Sequence, residues 1–297
     1  RNPVTPDGFI LGRTLFYDGL LSRDGTISCG TCHQQFAAFA HSGHDLSHGI
    51  DDQLTFRNTP PVQNLAWQKE FFWDGGVGDL DLFPINPIQA HNEMDEKLPN
   101  VLEKLRLSSK YPALFKKAFG SDTINTERFL KAIAQFQLMC ISSNSKFDKY
   151  ERGEVSLSQE EMQGKSIFDS KCSSCHKGTF FTDLSYRNNG LPVKNAADSG
   201  RSRVTLNTQD SYTYKVPSLR NITSTGPYMH DGRIANLEKV LDHYEKGVVD
   251  SPTLDPLLKN GSERGIALSS EEKRLIIVFL KTLSDDTFLR NKLLSEQ

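Results

Sequence analysis

The sequence predicts a mainly α, loop-rich protein built as two domains. Its 297 residues suit two domains at roughly 100 to 200 residues each. Capped amphipathic stretches predict helices, while Pro and Gly clusters at 59–61, 74–78 and 84–87 mark long loops in the first half. An internal repeat supports the pairing: GRTLFYD at 12–18 and GKSIFDS at 164–170 each carry apolar residues three and four positions after the Gly, and each precedes a Cys-x-x-Cys-His pentapeptide.

Taken in order, residues 1–150 are expected to form the first domain and 151–297 the second, joined through the charged stretch DKYERGEVSLS at 148–158. RFLKAIAQFQLMCI reads as an apolar helical stretch in which Cys140 is a buried free thiol. Ser158 with Glu161 forms a capping box for the helix leading to the second pentapeptide. Residues 185–215 are polar, with turn residues and little periodicity. Asn236 starts a helix over LEKVLDHYEK that Gly247 can stop, and Ser269 with Glu272 caps the amphipathic EEKRLIIVFLKTL. This last helix can pack back on the first domain.

Charge and hydropathy exclude whole classes of function. A net charge of −2 with no basic tract argues against nucleic acid as a partner. Mean hydropathy of −0.48, without a run of about 18 apolar residues, argues against a membrane span. No secretory leader opens the sequence at Arg1, so any export signal is expected to be absent from it.

Four of the five cysteines sit in the pentapeptides CGTCH at 29–33 and CSSCH at 172–176. Zinc and disulfide chemistry are the alternatives, but the immediately following His and the long separation fit neither zinc ribbons nor fingers, and neither flank reads as the βαβ context of a thioredoxin-like site. CxxCH is the attachment signal for c-type haem, whose vinyl groups take the two thiols while the His stands beneath the iron. Two covalent haem c groups are therefore expected, one in each of two cytochrome c-like modules. Such attachment takes place outside the cytoplasm, which implies the periplasm or its equivalent.

LGRTLFYD and LSRDGTISCGTCH, then RNTPPVQN, FFWDGG and HNEM, and in the second half GKSIFDSKCSSCH, KVPSLRNI and TGPYMHDG, together resemble the bacterial di-haem cytochrome c peroxidases and their MauG relatives. The resemblance runs from about residue 9 to about residue 247. It implies a peroxidatic haem on Cys29, Cys32 and His33, and an electron-transfer haem on Cys172, Cys175 and His176. It also implies a bridging role for Trp73, an acid in the peroxide pocket at Glu93, and a calcium ion between the domains held by oxygens of Asn64, Thr225 and Pro227. Each has a plainer alternative: loop packing for Trp73, a solvated charge for Glu93, turn residues for the trio. A positioned carboxylate suits peroxide chemistry because one proton must leave the near oxygen and one must reach the departing oxygen.

The ligands opposite the two histidines are where the sequence departs from the commonest pattern. Many relatives have a methionine about fourteen positions after the His of PYxHDG, but fourteen positions after His230 stands Tyr244. The resemblance to MauG implies that Tyr244 is the sixth ligand opposite His176, with Met229 as the rival and a hydrogen-bonded packing role as the plain alternative. In the loop HSGHDLSHGIDDQLTFRNTP the position matching a removable histidine ligand is Ile50, which implies an open first haem. His41, His44 and His48 lie nearby, and His48 is the one best placed to swing in. Phe83 stands where many relatives carry glutamine.

Three functions follow from the resemblance. The first is a peroxidase that reduces hydrogen peroxide to water with electrons from a small cytochrome c or cupredoxin, passed from the C-terminal to the N-terminal haem. The second is MauG-like oxidation of a protein or organic substrate, which Tyr244 favours. The third, a non-enzymatic electron carrier, is disfavoured by Glu93 and an open site. Relatives are commonly dimers, so a homodimer is compatible with this reading.

Overall fold

The computed structural model describes residues 2–297, and it is mainly helical with only two small two-stranded ladders. The chain divides into two compact units: Arg1–Lys69, Val77–Ser142 and Phe288–Gln297 form one, and Glu70–Gly76 with Ser143–Thr287 forms the other. Among the described residues no helix is long and apolar enough to cross a membrane.

The first unit holds α1 (Pro6–Phe16), α2 (Cys29–Cys32), α3 (Ile85–Gln89), α4 (Leu98–Leu107), α5 (Tyr111–Phe119) and α6 (Thr126–Leu138). Thr5 caps α1 by accepting from the Gly8 amide, and Pro6 occupies a first-turn position where its missing N–H costs nothing. Helices α1 and α6 touch backbone to backbone, because a Cβ on Gly12 would stand 1.9 Å from the Ala132 carbonyl oxygen. Leu11, Leu15, Phe115, Phe129 and Ile133 fill the core beside this contact. The Pro cluster at 84–87, expected as loop, instead opens α3: Pro84 and Pro87 fall in its cap and first turn, where no intrahelical N–H is needed.

The second unit holds α7 (Lys146–Glu151), α8 (Gln159–Lys171), α9 (Ser202–Thr205), α10 (Leu237–Asp242) and α11 (Ser270–Lys281), with β1 (Tyr186–Arg187) antiparallel to β2 (Tyr214–Lys215) and β3 (Lys259–Asn260) antiparallel to β4 (Glu263–Arg264). Both expected capping boxes form, at Ser158 with Glu161 and at Ser269 with Glu272. Helices α8 and α11 repeat the close contact of the first unit: a Cβ on Gly164 would lie 2.0 Å from the Leu275 carbonyl oxygen.

Three expectations about boundaries change. The division falls at 142/143 rather than within 148–158, because Asp148 of α7 is tied into the second unit by a two-pronged pair with Arg220 at 2.6 and 2.9 Å. The helix that returns to the first unit is not α11, which pairs with α8, but the tail from Phe288 onward; α12 spans Asp286–Leu289. There Arg13 donates to the Leu293 carbonyl at 2.8 Å, Tyr17 to that of Leu294 at 2.8 Å, and Gln35 to that of Asn291 at 2.8 Å. Finally, Asn236 does cap α10, but the turn His243–Gly247 that follows is π rather than α.

Candidate functional site

The first pentapeptide forms one tight turn. Ser28 and Thr31 close a reciprocal capping box around α2, which places Cys29 and Cys32 on a single helical turn and sends the chain out at His33. His33 Nδ1 donates to the Phe39 carbonyl at 2.7 Å. That bond fixes the tautomer and turns Nε2 into the lone-pair nitrogen, the arrangement a metal-binding imidazole requires. Burial holds the His33 ring neutral, with its pKa lowered to about 4. Phe39 adopts a left-handed φ of 60° to aim its carbonyl, a conformation that costs a bulky residue about 1 kcal/mol or more. It is held by aromatic packing, with Phe16 5.9 Å and Phe136 6.0 Å from its ring.

The second pentapeptide is built the same way. His176 Nδ1 donates to the Phe181 carbonyl at 3.1 Å, and burial lowers its pKa, against hydrogen bonds to the backbone of Phe181 and Pro217. Phe181 also has a left-handed φ, 53°, and its ring lies 5.9 Å from Phe168 and 6.1 Å from Phe279. The sequence repeat therefore extends further than GRTLF and GKSIF: Phe16, Phe39 and Phe136 correspond to Phe168, Phe181 and Phe279. Phe39 and Phe181 were missed in the sequence, although HQQFAAF and HKGTFF hold a Phe six and five positions after each His.

No two of the five cysteines form a disulfide. Burial pushes Cys29 up to about 12, Cys32 to about 11 and Cys172 to about 12, so these thiols are protonated at neutral pH. Two thiols on one turn and a neutral imidazole fixed through Nδ1 form a donor set that fits a covalently attached c-type haem at each pentapeptide. Cys140 lies buried just past the end of α6 and donates to the Phe136 carbonyl at 3.5 Å, a packed thiol as expected.

Of the three acids in HNEMDE, the structure separates Glu93 from the others. Asp95 is paired with Arg23 at 2.5 Å and His91 at 2.6 Å, and Glu96 with Lys104 at 2.6 Å. The Glu93 carboxyl has no hydrogen bond among the described residues, and burial raises its pKa. It stands close enough to Cys29 and Cys32 that its charge adds to the upward shift of both thiols. Its backbone is clamped by the histidine-bearing loop: the Ile50 amide donates to the Glu93 carbonyl at 2.8 Å, and a Cβ on Gly49 would meet Glu93 Cα at 2.6 Å.

That loop is ordered by its own contacts rather than solvated. His41 is buried and its Nδ1 bonds Ser47 Oγ at 2.7 Å, while His44 stacks on it at 4.4 Å. His48 is half exposed and paired with Asp52 at 2.5 Å. Ile50 and Phe83 are both buried. Loop polarity therefore describes His48 but not His41.

In the second unit Tyr244 stands on the π turn. Gly265, at φ 94°, passes beneath the Tyr244 carbonyl, which accepts from the Ile266 amide at 2.7 Å. This outside donor satisfies a carbonyl that an α turn would have used, and rotates Tyr244 relative to the α register expected for 236–246. Burial raises its phenol to about 12, nearby Asn189 acts in the opposite sense, and the charges of Cys175 and Cys172 raise it further. Tyr244 is thus brought to the second pentapeptide. Met229, at a left-handed φ of 75°, accepts at Sδ from Asn189 Nδ2 at 3.3 Å.

Trp73 belongs to the short segment Glu70–Gly76 that is part of the second unit. Its carbonyl accepts from the Lys215 amide at 2.7 Å. Glu70 accepts from the Tyr186 hydroxyl at 2.8 Å and from Arg201 at 3.1 Å, and the Arg201 guanidinium lies 3.7 Å over the Tyr186 ring. Gly75 leaves room for this arrangement, since a Cβ there would lie 2.1 Å from the Tyr186 hydroxyl. Asn64, in the first unit, exchanges hydrogen bonds with the Ser142 backbone at 3.0 and 3.1 Å. Thr225 and Pro227 lie in the second unit, where Thr225 Oγ1 donates to the Ile222 carbonyl at 3.3 Å.

Comparison with known proteins agrees with this geometry. The family profile described as di-haem cytochrome c peroxidase matches residues 6–156. The methylamine utilization protein MauG of Methylorubrum extorquens is 37% identical over 286 residues, covering 95% of this chain and 79% of that one. The cytochrome c551 peroxidase of Nitrosomonas europaea is 35% identical over 301 residues, covering 96% and 82%. A solved MauG-like protein associated with microbial copper homeostasis superposes with a TM-score of 0.89 at 31% identity, covering 99% of this chain and 94% of its own. The diheme peroxidase BthA of Burkholderia thailandensis shares the fold, with a TM-score of 0.83 at 19% identity and coverage of 100% and 91%.

Proposed function

The chain belongs to the di-haem cytochrome c peroxidase family, and we propose that it reduces hydrogen peroxide to water at its first haem site in the periplasm. It is a peroxidase-type oxidoreductase that uses c-type haem. The two haems, when bound on Cys29, Cys32 and His33 and on Cys172, Cys175 and His176, supply the redox chemistry. Electrons enter from a small cytochrome c or cupredoxin at the C-terminal haem and pass by way of Trp73 to the N-terminal one.

Glu93 carries the reading. A half-buried carboxyl without a hydrogen-bond partner among the described residues, beside the first pair of cysteines and with a raised pKa, is able both to take the proton of the near peroxide oxygen and to deliver one to the departing oxygen. His33 Nδ1–H to the Phe39 carbonyl increases the basicity of the ring opposite the peroxide. Ile50, its amide bonded to Glu93, supports an open first site. Tyr244 is the proposed ligand opposite His176, supported by its approach to Cys172 and Cys175 and by the engagement of the Met229 sulfur elsewhere. A calcium ion held by oxygens of Asn64, Thr225 and Pro227 completes the reading, and a homodimer is its expected assembly.

Tyr244 also favours a second reading, in which the same haems oxidise a protein or organic substrate as MauG-like enzymes do, since phenolate donation lowers the potential and favours higher oxidation states. Stopped-flow mixing of the ferric protein with peroxide, followed by a reduced small cytochrome c, separates the two. Rapid cytochrome oxidation is expected. A peroxide response without cytochrome oxidation would select the second reading, and an unchanged spectrum would overturn both.

A further inference from the structure

Resting on His33 as the ligand of the first haem, we propose that the segment 288–297 is a strap that positions this histidine: Phe288 and Gln35 are positioning residues that hold the Phe39 carbonyl against His33 Nδ1, and so set how strongly the ring donates to iron.

The Phe39 carbonyl needs support from outside its own turn. Ala38 and Phe39 stand one after the other in the left-handed region, at φ 54° and 60°, where side-chain-bearing residues are strained. Gln34 closes the turn, accepting from the Phe39 amide at 2.9 Å and donating to the Ala40 carbonyl at 3.0 Å. These bonds join the ends of the turn, and packing on the Phe39 ring holds the strained residue between them. Phe16 of α1 and Phe136 of α6 supply part of that packing. Phe288 supplies the rest, with its ring 5.7 Å from that of Phe39 and both side chains buried.

In the second unit the place of Phe288 is taken by Phe147 of α7, 5.3 Å from Phe181. Neither ring belongs to the repeated helix pairs, yet both units recruit one. The two are secured differently. The Phe147 amide donates to the Thr282 carbonyl at 2.9 Å, at the end of α11. Phe288 is instead fastened to the turn it braces: Gln35 Nε2 donates to the Phe288 carbonyl at 3.3 Å and to the Asn291 carbonyl at 2.8 Å. Gln35 lies two positions after His33, and its own carbonyl accepts from the Ala38 amide at 2.9 Å. Tyr17 holds the strap further on, through the carbonyl of the buried Leu294 at 2.8 Å. Its approach is fixed at Asp285, which accepts from the Ser143 and Asn144 amides at 2.9 Å.

A hydrogen bond from Nδ1–H to a carbonyl makes an imidazole a stronger donor to bound iron, which lowers the reduction potential and favours cleavage of an O–O bond on the opposite side. That bond is 2.7 Å at His33 and 3.1 Å at His176. Removing the Phe288 ring lets Phe39 leave its strained φ and carries the carbonyl away from Nδ1.

Phe288→Ala removes the ring, Phe288→Leu restores much of its volume, and Gln35→Ala unfastens the strap while leaving the ring. Each is prepared as the di-haem holoprotein and read by spectroelectrochemistry and by resonance Raman of the ferrous state, beside Phe147→Ala. The expected result in Phe288→Ala is an upward shift of the first haem's midpoint potential and a lower iron–histidine stretching frequency, with the second haem unmoved. Gln35→Ala should give a smaller shift of the same sign, Phe288→Leu should return toward wild type, and Phe147→Ala should move the second haem and not the first. An unchanged first-haem potential and stretch in Phe288→Ala and Gln35→Ala would overturn the proposal, as would equal shifts of both haems, the mark of general loosening. Where Phe288→Ala fails to fold, Gln35→Ala decides by the same criteria. A wild-type protein without an iron–histidine stretch would overturn the open first site alone, with the potentials still deciding the strap. A first pentapeptide that carries no haem would overturn the ligand reading and this proposal together.

Discussion

Glu93→Gln is a nearly isosteric change at a group that makes no hydrogen bond among the described residues, so it removes proton transfer and little else. General acid–base catalysis contributes roughly 10²- to 10⁴-fold, or about 2.7 to 5.4 kcal/mol of barrier at about 1.36 kcal/mol per decade. The peroxide reaction of the variant, followed by stopped-flow absorbance, should slow by that factor while both haems stay bound. Stability should move the other way. Burial raises the folded pKa of Glu93 above its unfolded value, so the folded state binds the extra proton, and the wild type loses stability as pH rises from the unfolded value toward the folded one. Glutamine does not titrate. The variant should therefore melt no lower than wild type at pH 7, with its relative advantage shrinking as pH falls toward about 4 and absent below it. The wild-type rate should also rise through a pKa above the ordinary carboxylate range, a limb absent from the variant. Equal peroxide rates in the two proteins would refute the catalytic assignment, and a lower melting temperature at pH 7 would refute the account of an unpartnered, half-buried acid.

Gly164→Ala should destabilise the protein despite the roughly 1 kcal/mol that alanine gains over glycine in a helix: the new methyl lands 2.0 Å from the Leu275 carbonyl oxygen, and such overpacking costs about 1 to 3 kcal/mol or more. A melting temperature at or above wild type would refute the close contact. Asp148→Ala leaves Arg220, 3% exposed, without its carboxylate and should cost about 3 to 5 kcal/mol in chemical denaturation. Burial pushes the Asp148 pKa up, but hydrogen bonds from Arg220 and Ser145 outweigh it and the net shift is down. Its contribution is therefore present above the unfolded carboxylate pKa and lost as pH falls through the folded one, so the variant's deficit should shrink in acid. Ser269→Ala removes the cap of α11 and should cost about 1 kcal/mol by the same measurement. Prolonged exposure to a calcium chelator should slow peroxide turnover, with recovery on adding Ca2+; chelator-insensitive turnover would remove the ion from the reading.

The features legible in the sequence are those written locally. Both capping boxes, the helix leading into each pentapeptide and the start of α10 at Asn236 follow from side chains three or four positions apart. The features that were not legible depend on distant partners. The π turn at Tyr244 exists because the Ile266 amide reaches its carbonyl, and no local pattern in LEKVLDHYEK announces a donor from 22 residues on. The unit boundary moved because Arg220 captures Asp148. Glu93 could not be told from Asp95 and Glu96 by sequence, since what distinguishes it is that Arg23, His91 and Lys104 reach its neighbours and not it.

The two units repeat most faithfully where substitution is most expensive. Gly12 and Gly164 lie against backbone oxygens that cannot yield, and Phe39 and Phe181 hold strained φ angles whose carbonyls orient His33 and His176. A change at either glycine disturbs a helix contact and a change at either phenylalanine disturbs a histidine. Glu93 and Tyr244 are not bound in this way, and there the units differ. They also differ in how the residue is held: Tyr244 sits on a turn anchored by the Ile266 amide, whereas the half-buried Glu93 carboxyl has no hydrogen-bond partner among the described residues. An unpartnered, half-buried acid costs stability, and a site that retains one holds a proton acceptor that no structural bond competes for. A phenol on an anchored turn has the opposite property, a fixed position. The first arrangement suits a group that must exchange protons with a substrate, and the second suits one that must stay bound through repeated electron transfer.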